Sequence, residues 1–239
     1  MASCGPHRAS PARLLFAAAI TLAFAGCGGT DPQQQPEGAA PLAVTLDSRG
    51  ANADRVRSGD LSSARAALEA SLAADPDRLS ALNDLGATYL LEGHRDAARR
   101  LLDEVVAQGN PREQQAALLN LGELYAMDGY LDAALAYIET ARSIDRNRPE
   151  PWYALGLLLD VRGDLAGARG AVRTALRLDE GGAARAAFAY AYPEERAHLE
   201  ALVAEQTGDR ALAVARWREL AQGRFAPLAE AAERHLAGE

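Results

Sequence analysis

Three stretches of the chain share one spacing. Leu85-Gly86-Ala87-Thr88-Tyr89 leads to Gly93 and Ala98, Leu121-Gly122-Glu123-Leu124-Tyr125 to Gly129 and Ala134, and Leu155-Gly156-Leu157-Leu158-Leu159 to Gly163 and Ala168. An upstream half-copy supplies Gly59 and Ala64, so the later glycines fall at 59, 93, 129 and 163. Self-similarity at a period of this length marks a chain of stacked units, each covering the next. Each position has a mechanical reason. The first glycine lets a second helix approach the first closely, and the alanine sits where the two cross. The later glycine takes the open turn between helices, where a Cβ is penalised. Asp60, Asp164 and Asp209, each after a glycine, are expected at helix N-termini as caps or first-turn acids. Pro76, Pro111 and Pro149 punctuate the joints.

Composition agrees with helices and excludes several kinds of chemistry. Hydrophobic residues make up 49% of the 239 residues while aromatics make up 5%, so Ala and Leu, both strong helix formers, carry the apolar fraction. The basic residues are all Arg, which excludes a phosphate-loop lysine or a Schiff base. A net charge of −8 argues against nucleic acid as a partner. Two Cys and four scattered His give no zinc-ligand spacing. No nucleophile elbow, H-E-x-x-H, G-x-G-x-x-G or C-x-x-C occurs. His94, His198 and His235 read as surface or partly packed imidazoles, and the many carboxylates as solvated helix faces. Trp152 and Trp217 read as core. No enzyme, cofactor or metal site is expected.

The repeated pattern, best matched by Trp152-x-x-Leu155-Gly156, resembles the tetratricopeptide repeat (TPR). The resemblance implies an all-α fold, a TPR-type α-solenoid of antiparallel helix pairs with a C-terminal capping helix. It covers residues 45–180. The first helix of the first copy, around Ala51–Arg55, has almost no apolar stripe and reads either as a polar cap or as disorder. Beyond Glu180-Gly181-Gly182 the spacing breaks, and 181–239 reads as a divergent fifth repeat (Gly208, Ala213, Trp217) with a terminal helix over Ala226–Leu236. In such stacks the first helices line a concave groove that takes peptides or partner helices. Counting repeat positions places Asn83, Asp84, Ala87, Leu90, Leu119, Asn120, Glu123, Met127, Glu150, Tyr153, Leu157 and Asp160 there. The partner-binding residues are expected to be Asn83, Ala87, Leu90, Leu119, Asn120, Glu123, Tyr153 and Leu157. No Lys or Arg falls at these positions, so a carboxylate-gripping groove is disfavoured and a neutral-to-basic amphipathic segment is expected. In the insertion Ala183–Tyr192, Phe188, Tyr190 and Tyr192 alternate with Ala; they read as filler between repeats four and five, or as an exposed binding patch.

The N-terminus reads as an address. Residues 1–26 hold Arg8, Arg13, no acid and a short apolar run, Leu14–Ala25, which is the pattern of an export signal. Leu22-Ala23-Phe24-Ala25-Gly26-Cys27 resembles the lipobox of bacterial lipoproteins, with Phe24 where an aliphatic residue is usual. Ala23-Phe24-Ala25 also reads as an A-x-A site for ordinary signal peptidase, which would release a soluble periplasmic module that binds a ligand or acts as a complex subunit. Cys27 would be the lone mature Cys, and an unpaired thiol suits acylation better than an oxidising compartment. Residues 27–44 are Gly/Pro/Gln-rich at their start and read as a flexible tether. Gly28, in place of Asp, implies outer-membrane anchoring with the domain in the periplasm. The expected function is a non-enzymatic protein–protein interaction adaptor for assembly of an envelope machine, of the pilotin kind, with an envelope protein or peptide segment as partner.

Overall fold

The computed structural model describes residues 38–47 and 50–238. The signal peptide expected over 1–26, the lipidation at Cys27 and the tether up to residue 37 lie outside the described residues. From residue 51 onward the chain runs as helix pairs. Repeat one is α1 (Ala51–Arg57) and α2 (Leu61–Ala74), repeat two α3 (Leu79–Leu91) and α4 (Arg95–Gln108), and repeat three α5 (Pro111–Met127) and α6 (Leu131–Ile144). Repeat four is α7 (Glu150–Val161) and α8 (Leu165–Leu178). A short helix, α9 (Ala183–Ala187), lies in the insertion; the fifth pair is α10 (Pro193–Thr207) and α11 (Arg210–Leu220), and α12 (Ala226–Ala237) closes the stack. The fold is therefore the expected all-α solenoid. Ala51–Arg57 forms a short helix with Ala53 and Val56 buried, so the first pair is complete.

A turn glycine in each of the five pairs, and a second glycine within the first helix of repeats two to four, set the pairing. Gly59, Gly93, Gly129, Gly163 and Gly208 all turn with φ between 79° and 83°, the left-handed region that ends a helix without a Cβ clash. The helix-borne glycines are tight for a different reason. A Cβ at Gly86 would lie 3.0 Å from Leu102, one at Gly122 2.9 Å from Ile138, and one at Gly156 2.6 Å from Val172. The branched side chains of α4, α6 and α8 thus rest against bare backbone of α3, α5 and α7. Ala64, Ala98, Ala134 and Ala168 are fully buried at the crossings.

Helix starts agree with the sequence in part. Asp164 Oδ1 accepts from Gly167 N–H at 2.9 Å and Asp209 Oδ1 from Leu212 N–H at 3.1 Å. Asp60 stands at the N-cap of α2 but makes no side-chain cap bond. The fullest cap is one the sequence reading passed over: Asn110 and Glu113 form a reciprocal capping box with Pro111 in the first turn of α5. Trp217 is core, whereas Trp152 lies half-buried at a joint, its indole donating to Arg146 O at 2.8 Å with the Arg142 guanidinium 5.0 Å from the ring centroid.

The segment before α1 differs most from its expectation. Residues 39–47, mostly assigned to the flexible tether, are all buried. They run extended along the first helices, and Val44 forms an antiparallel bridge with Ala189 of the insertion. Small side chains (Ala39, Ala40, Ala43) let this backbone sit close to the helices, and its polar groups find partners there.

Gly156→Val is expected to lower stability by about 2 kcal/mol through overpacking against Val172. Val172→Ala in the same chain should recover part of that loss. Thermal denaturation of the three variants checks it; an unchanged midpoint for Gly156→Val would place the crossing elsewhere.

Candidate functional site

The first helices present a polar ladder toward the concave side. Asn83 and Asp84 on α3, and Asn120 and Glu123 on α5, are all buried. Asn120 and Glu123 stand one helical turn apart, so both face the same way. Buried polar groups need partners, and the docked segment supplies its main chain. Leu42 N–H donates to Glu123 Oε2 at 2.6 Å, Thr45 N–H to Asn120 Oδ1 at 2.8 Å, and Asp47 N–H to Asp84 Oδ1 at 2.8 Å. Thr45 O accepts from both Asn120 Nδ2 at 2.9 Å and Asn83 Nδ2 at 3.3 Å. Ala40 N–H donates to Ala126 O near the end of α5, 3.0 Å. At the other end Arg112 grips Asp47, Nε to Oδ1 at 2.8 Å and Nη2 to the carbonyl at 3.1 Å.

The segment therefore runs antiparallel to α5. From Ala126 back to Arg112 is about 21 Å of helix, and from Ala40 to Asp47 is about 23 Å of extended chain, so the two are matched in length. The second wall is the insertion. Val44 N–H donates to Ala189 O, and Ala189 N–H to Val44 O, each at 3.0 Å. Phe188 packs edge-on against Tyr153 with centroids 6.0 Å apart, while the Tyr153 hydroxyl donates to Asp179 Oδ2 at 3.2 Å. The space left beside Glu123 and Arg95 is a cavity of about 20 Å³, enough for about one water.

Every residue expected to bind a partner lines this groove, and each is buried. Ala87 and Leu90 join Val44, Leu46 and Ala189 in one apolar cluster; Leu119, Tyr153 and Leu157 join Ala39, Ala40, Leu42, Ala43 and Phe188 in another. The chain's own residues 38–47 and 188–189 cover what the sequence offered to a partner. Of the wider set of positions, Glu150 pairs instead with Arg148 at 2.7 Å, and Asp160 turns to the C-terminal network described below. The sequence reading missed Arg112 because its reach to Asp47 depends on a segment distant in sequence. Phe188 fills space rather than forming an exposed patch.

Burial shapes the carboxyls. Desolvation raises Glu123 to about 8, with the Leu42 N–H and the Arg95 charge pulling the other way. Glu195 at the start of α10 is also raised, first by burial and then by Glu123; it accepts from Ala191 N–H at 2.8 Å. These two acids meet where the insertion closes on the groove.

A second buried polar network ends the stack. Asp160 of α7 accepts from His198 Nε2 at 2.8 Å and His235 Nε2 at 2.7 Å, and His235 Nδ1 reaches Glu205 at 2.6 Å. Trp217 stacks on His235 with centroids 4.0 Å apart and donates from Nε1 to Glu205 at 2.7 Å. Burial alone would raise the Asp160 carboxyl, but the hydrogen bonds from both histidines outweigh it and hold it well below its usual range. Burial would lower His235, and its bonds to Asp160 and Glu205 outweigh that and raise it to about 9. His198 and His235 are thus wholly internal rather than surface imidazoles. They join α7, α10, α11 and α12, which is a locking role. Among the described residues, no group of three or more His, Cys, Asp or Glu could hold a metal ion.

Residues 55–122 match the family model described as tetratricopeptide repeat. No curated protein matches the chain at a significant level. Two solved structures titled as crystal structures of MamA are similar to it. The first is 22% identical with a TM-score of 0.43, covering 80% of this chain and 99% of that one. The second is 22% identical with a TM-score of 0.42, covering 79% and 91%. These likenesses are weak, and the fold assignment stands on the repeat geometry.

Two outcomes follow from the buried charges. A carboxyl raised on folding, or a histidine raised on folding, binds more protons in the folded chain, so stability falls as pH rises across that window. Glu123 acts from its unfolded range, near 4.5, up to about 8, and His235 from 6.5 up to about 9. Melting temperature should therefore decline from pH 5 to 9, and Glu123→Gln, which keeps an acceptor for Leu42, should flatten that decline and melt higher at pH 8. Asp160→Ala strips His198 of its carboxylate partner and leaves His235 only Glu205, and should cost about 3–5 kcal/mol at pH 6, read by denaturant unfolding.

Proposed function

We propose that this chain, which carries tetratricopeptide repeats, is a non-enzymatic protein–protein interaction adaptor, lipid-anchored at Cys27 to a bacterial outer membrane with its solenoid in the periplasm. Repeat stacks of this kind work as binding scaffolds, because an extended helical array offers a long surface and no catalytic constellation is needed to hold a segment along it. The observation that carries the reading is the ladder of Asn83, Asp84, Asn120 and Glu123, which holds an extended main chain through its N–H and C=O groups. A surface that recognises backbone in this way is suited to peptide recognition.

The finer assignments rest on the sequence. The lipobox-like Leu22–Cys27 stretch supports the anchor, and Gly28 supports the outer membrane as its destination. With Arg8 and Arg13 removed, 23 of the 25 Arg remain against 33 acids, so the mature chain at −10 has no electrostatic pull toward an anionic surface and attachment rests on the acyl chains. Assembly of an envelope machine, in the manner of a pilotin, is the role we assign first to an adaptor in that place. The other reading, a soluble periplasmic module that binds a ligand or serves as a complex subunit, draws its support from Ala23-Phe24-Ala25 as an ordinary cleavage site.

Because Tyr153 and Leu157 are fully buried, with Tyr153 edge-on against Phe188, truncating them would measure stability rather than capture of a partner. Cys27 gives the cleaner experiment. Cys27→Ala should move the protein from the membrane to the soluble fraction of cells expressing it. Unchanged attachment would defeat the lipoprotein reading, and a wild-type protein already soluble would favour the module released by ordinary peptidase. In-cell crosslinking of the anchored wild type should recover an envelope protein in stoichiometric amount; recovery of none would defeat the adaptor.

A further inference from the structure

We infer that the outer face of α8 docks an acidic helix of a partner protein, seated in the open cleft between α8 and α10. The inference rests on the adaptor reading and specifies its surface and its ligand. The cleft holds about 510 Å³ and is lined by Gly170, Arg173, Thr174, Leu176 and Arg177 of α8 and by Gln206 of α10. Arg169, Arg173 and Arg177 are exposed and follow one another at single turns, so about 12 Å of one helix face carries a row of guanidiniums. Like charges at this spacing oppose a helix. Among the second helices of the five pairs, α8 is the one that holds no acid. None of these arginines has an ion pair among the described residues. Arg173 Nε donates to Arg169 O at 3.3 Å and Arg177 Nη2 to Thr174 Oγ1 at 3.2 Å, which leaves most of their N–H groups to solvent. The nearby acids are engaged elsewhere: Asp179 with Tyr153 and Arg185, Glu200 with Arg216, and Glu205 with His235 and Trp217. Glu180, exposed past the helix end, forms no ion pair with the row.

Gly170 supplies an independent observation. Glycine weakens a helix interior relative to alanine. The other glycines inside helices have reasons in the fold: Gly86, Gly122 and Gly156 take a crossing side chain, and Gly167 leaves room for the Asp164 cap. A Cβ at Gly170 would meet nothing within 4 Å, and its φ is not left-handed. The fold has no use for bare backbone there, whereas a helix that comes close across the cleft does. The arginine row then states what that helix carries. Carboxylates one turn apart repeat at about 6 Å, the rise that separates Arg173 from Arg177, and each guanidinium can hold a carboxylate through two N–H groups. Neighbouring helices set the width of the ligand. Asp96, Asp103 and Glu104 of α4 are exposed, so a plane of anionic headgroups spread over the second helices would meet acids as well as arginines. A helix seated against α8 meets the arginines alone. Its charge is opposite to that of the neutral-to-basic segment expected for the concave side.

The probe is a fluorescent, alanine-based helical peptide with glutamate at every fourth position. It is titrated at low salt against the full chain carrying Cys27→Ser and read by anisotropy. Arg173→Gln with Arg177→Gln keeps good helix formers and should weaken binding about tenfold or more at an unchanged melting temperature. Arg99→Gln with Arg100→Gln makes the same change of net charge on α4 and should leave binding as it is. Gly170→Trp fills the cleft without altering charge and should weaken binding as strongly, while Gly170→Ala should melt higher than the parent. Equal loss in the α4 pair, or full binding by Gly170→Trp, reduces the effect to net charge and overturns the inference. A lower melting temperature in the Arg173/Arg177 pair or in Gly170→Ala makes those residues structural and also overturns it. So does cosedimentation with phosphatidylglycerol vesicles that the Arg173/Arg177 pair abolishes, which would assign the face to lipid. In cells, the partner crosslinked by the anchored wild type should be lost from the Arg173/Arg177 pair and from Gly170→Trp. A partner captured equally by both leaves the adaptor standing and overturns the inference. If the probe binds as expected and no partner is captured, the cleft chemistry stands and the adaptor falls.

Discussion

The architecture depends on bare backbone at three helix crossings. At Gly86, Gly122 and Gly156 the second helix of each pair lays a branched side chain against the first, at distances a Cβ would make too short. This contact fixes how near the paired helices lie and on which side they meet. Once that side is committed, the opposite face of each first helix is left to look inward across the stack. Repetition at a near-constant period then lines up those inner faces, and the groove is the result. The turn glycines act downstream of this, returning the chain so that the next pair repeats the same geometry.

What fills the groove follows from polar satisfaction. The inner faces carry amides and acids that cannot remain both buried and unpaired. A helix has already used its main-chain groups on itself, so it offers such a ladder little. An extended segment has free N–H and C=O groups on both sides, and residues 40–47 turn one side to α3 and α5 and the other to Ala189. The insertion after repeat four takes its place in the same arrangement: by breaking the repeat spacing it brings Phe188 and Ala189 back over the groove as the second wall. Two departures from the regular pattern, one before the repeats and one within them, thus meet at a single site.

The far end of the stack is closed by charge rather than by apolar cover alone. Asp160, buried near the end of α7, accepts from His198 and His235 and so ties the fourth repeat to α10 and α12. Buried polar residues on first helices hold an extended backbone in repeats two and three, and here one holds two imidazoles. Position in the stack, and what the chain brings to it, decides which.

The sequence by itself determined the periodic part of this protein. The helix pairs, the turn glycines, the crossing alanines and the membership of Asn83, Ala87, Leu90, Leu119, Asn120, Glu123, Tyr153 and Leu157 in the groove were legible because each is set by contacts within a repeat or between neighbours, at fixed offsets. Tertiary structure alone decided what those residues touch. Asp47 and Arg112, Leu42 and Glu123, and Asp160 and His235 are separated by tens of residues, and nothing in local spacing pairs them. Residues 38–44 looked like tether because a short run of Ala, Pro and Leu has no helical period. Its partner is a ladder assembled only after repeats two and three have stacked, and burial of an extended chain is a property of that assembled surface.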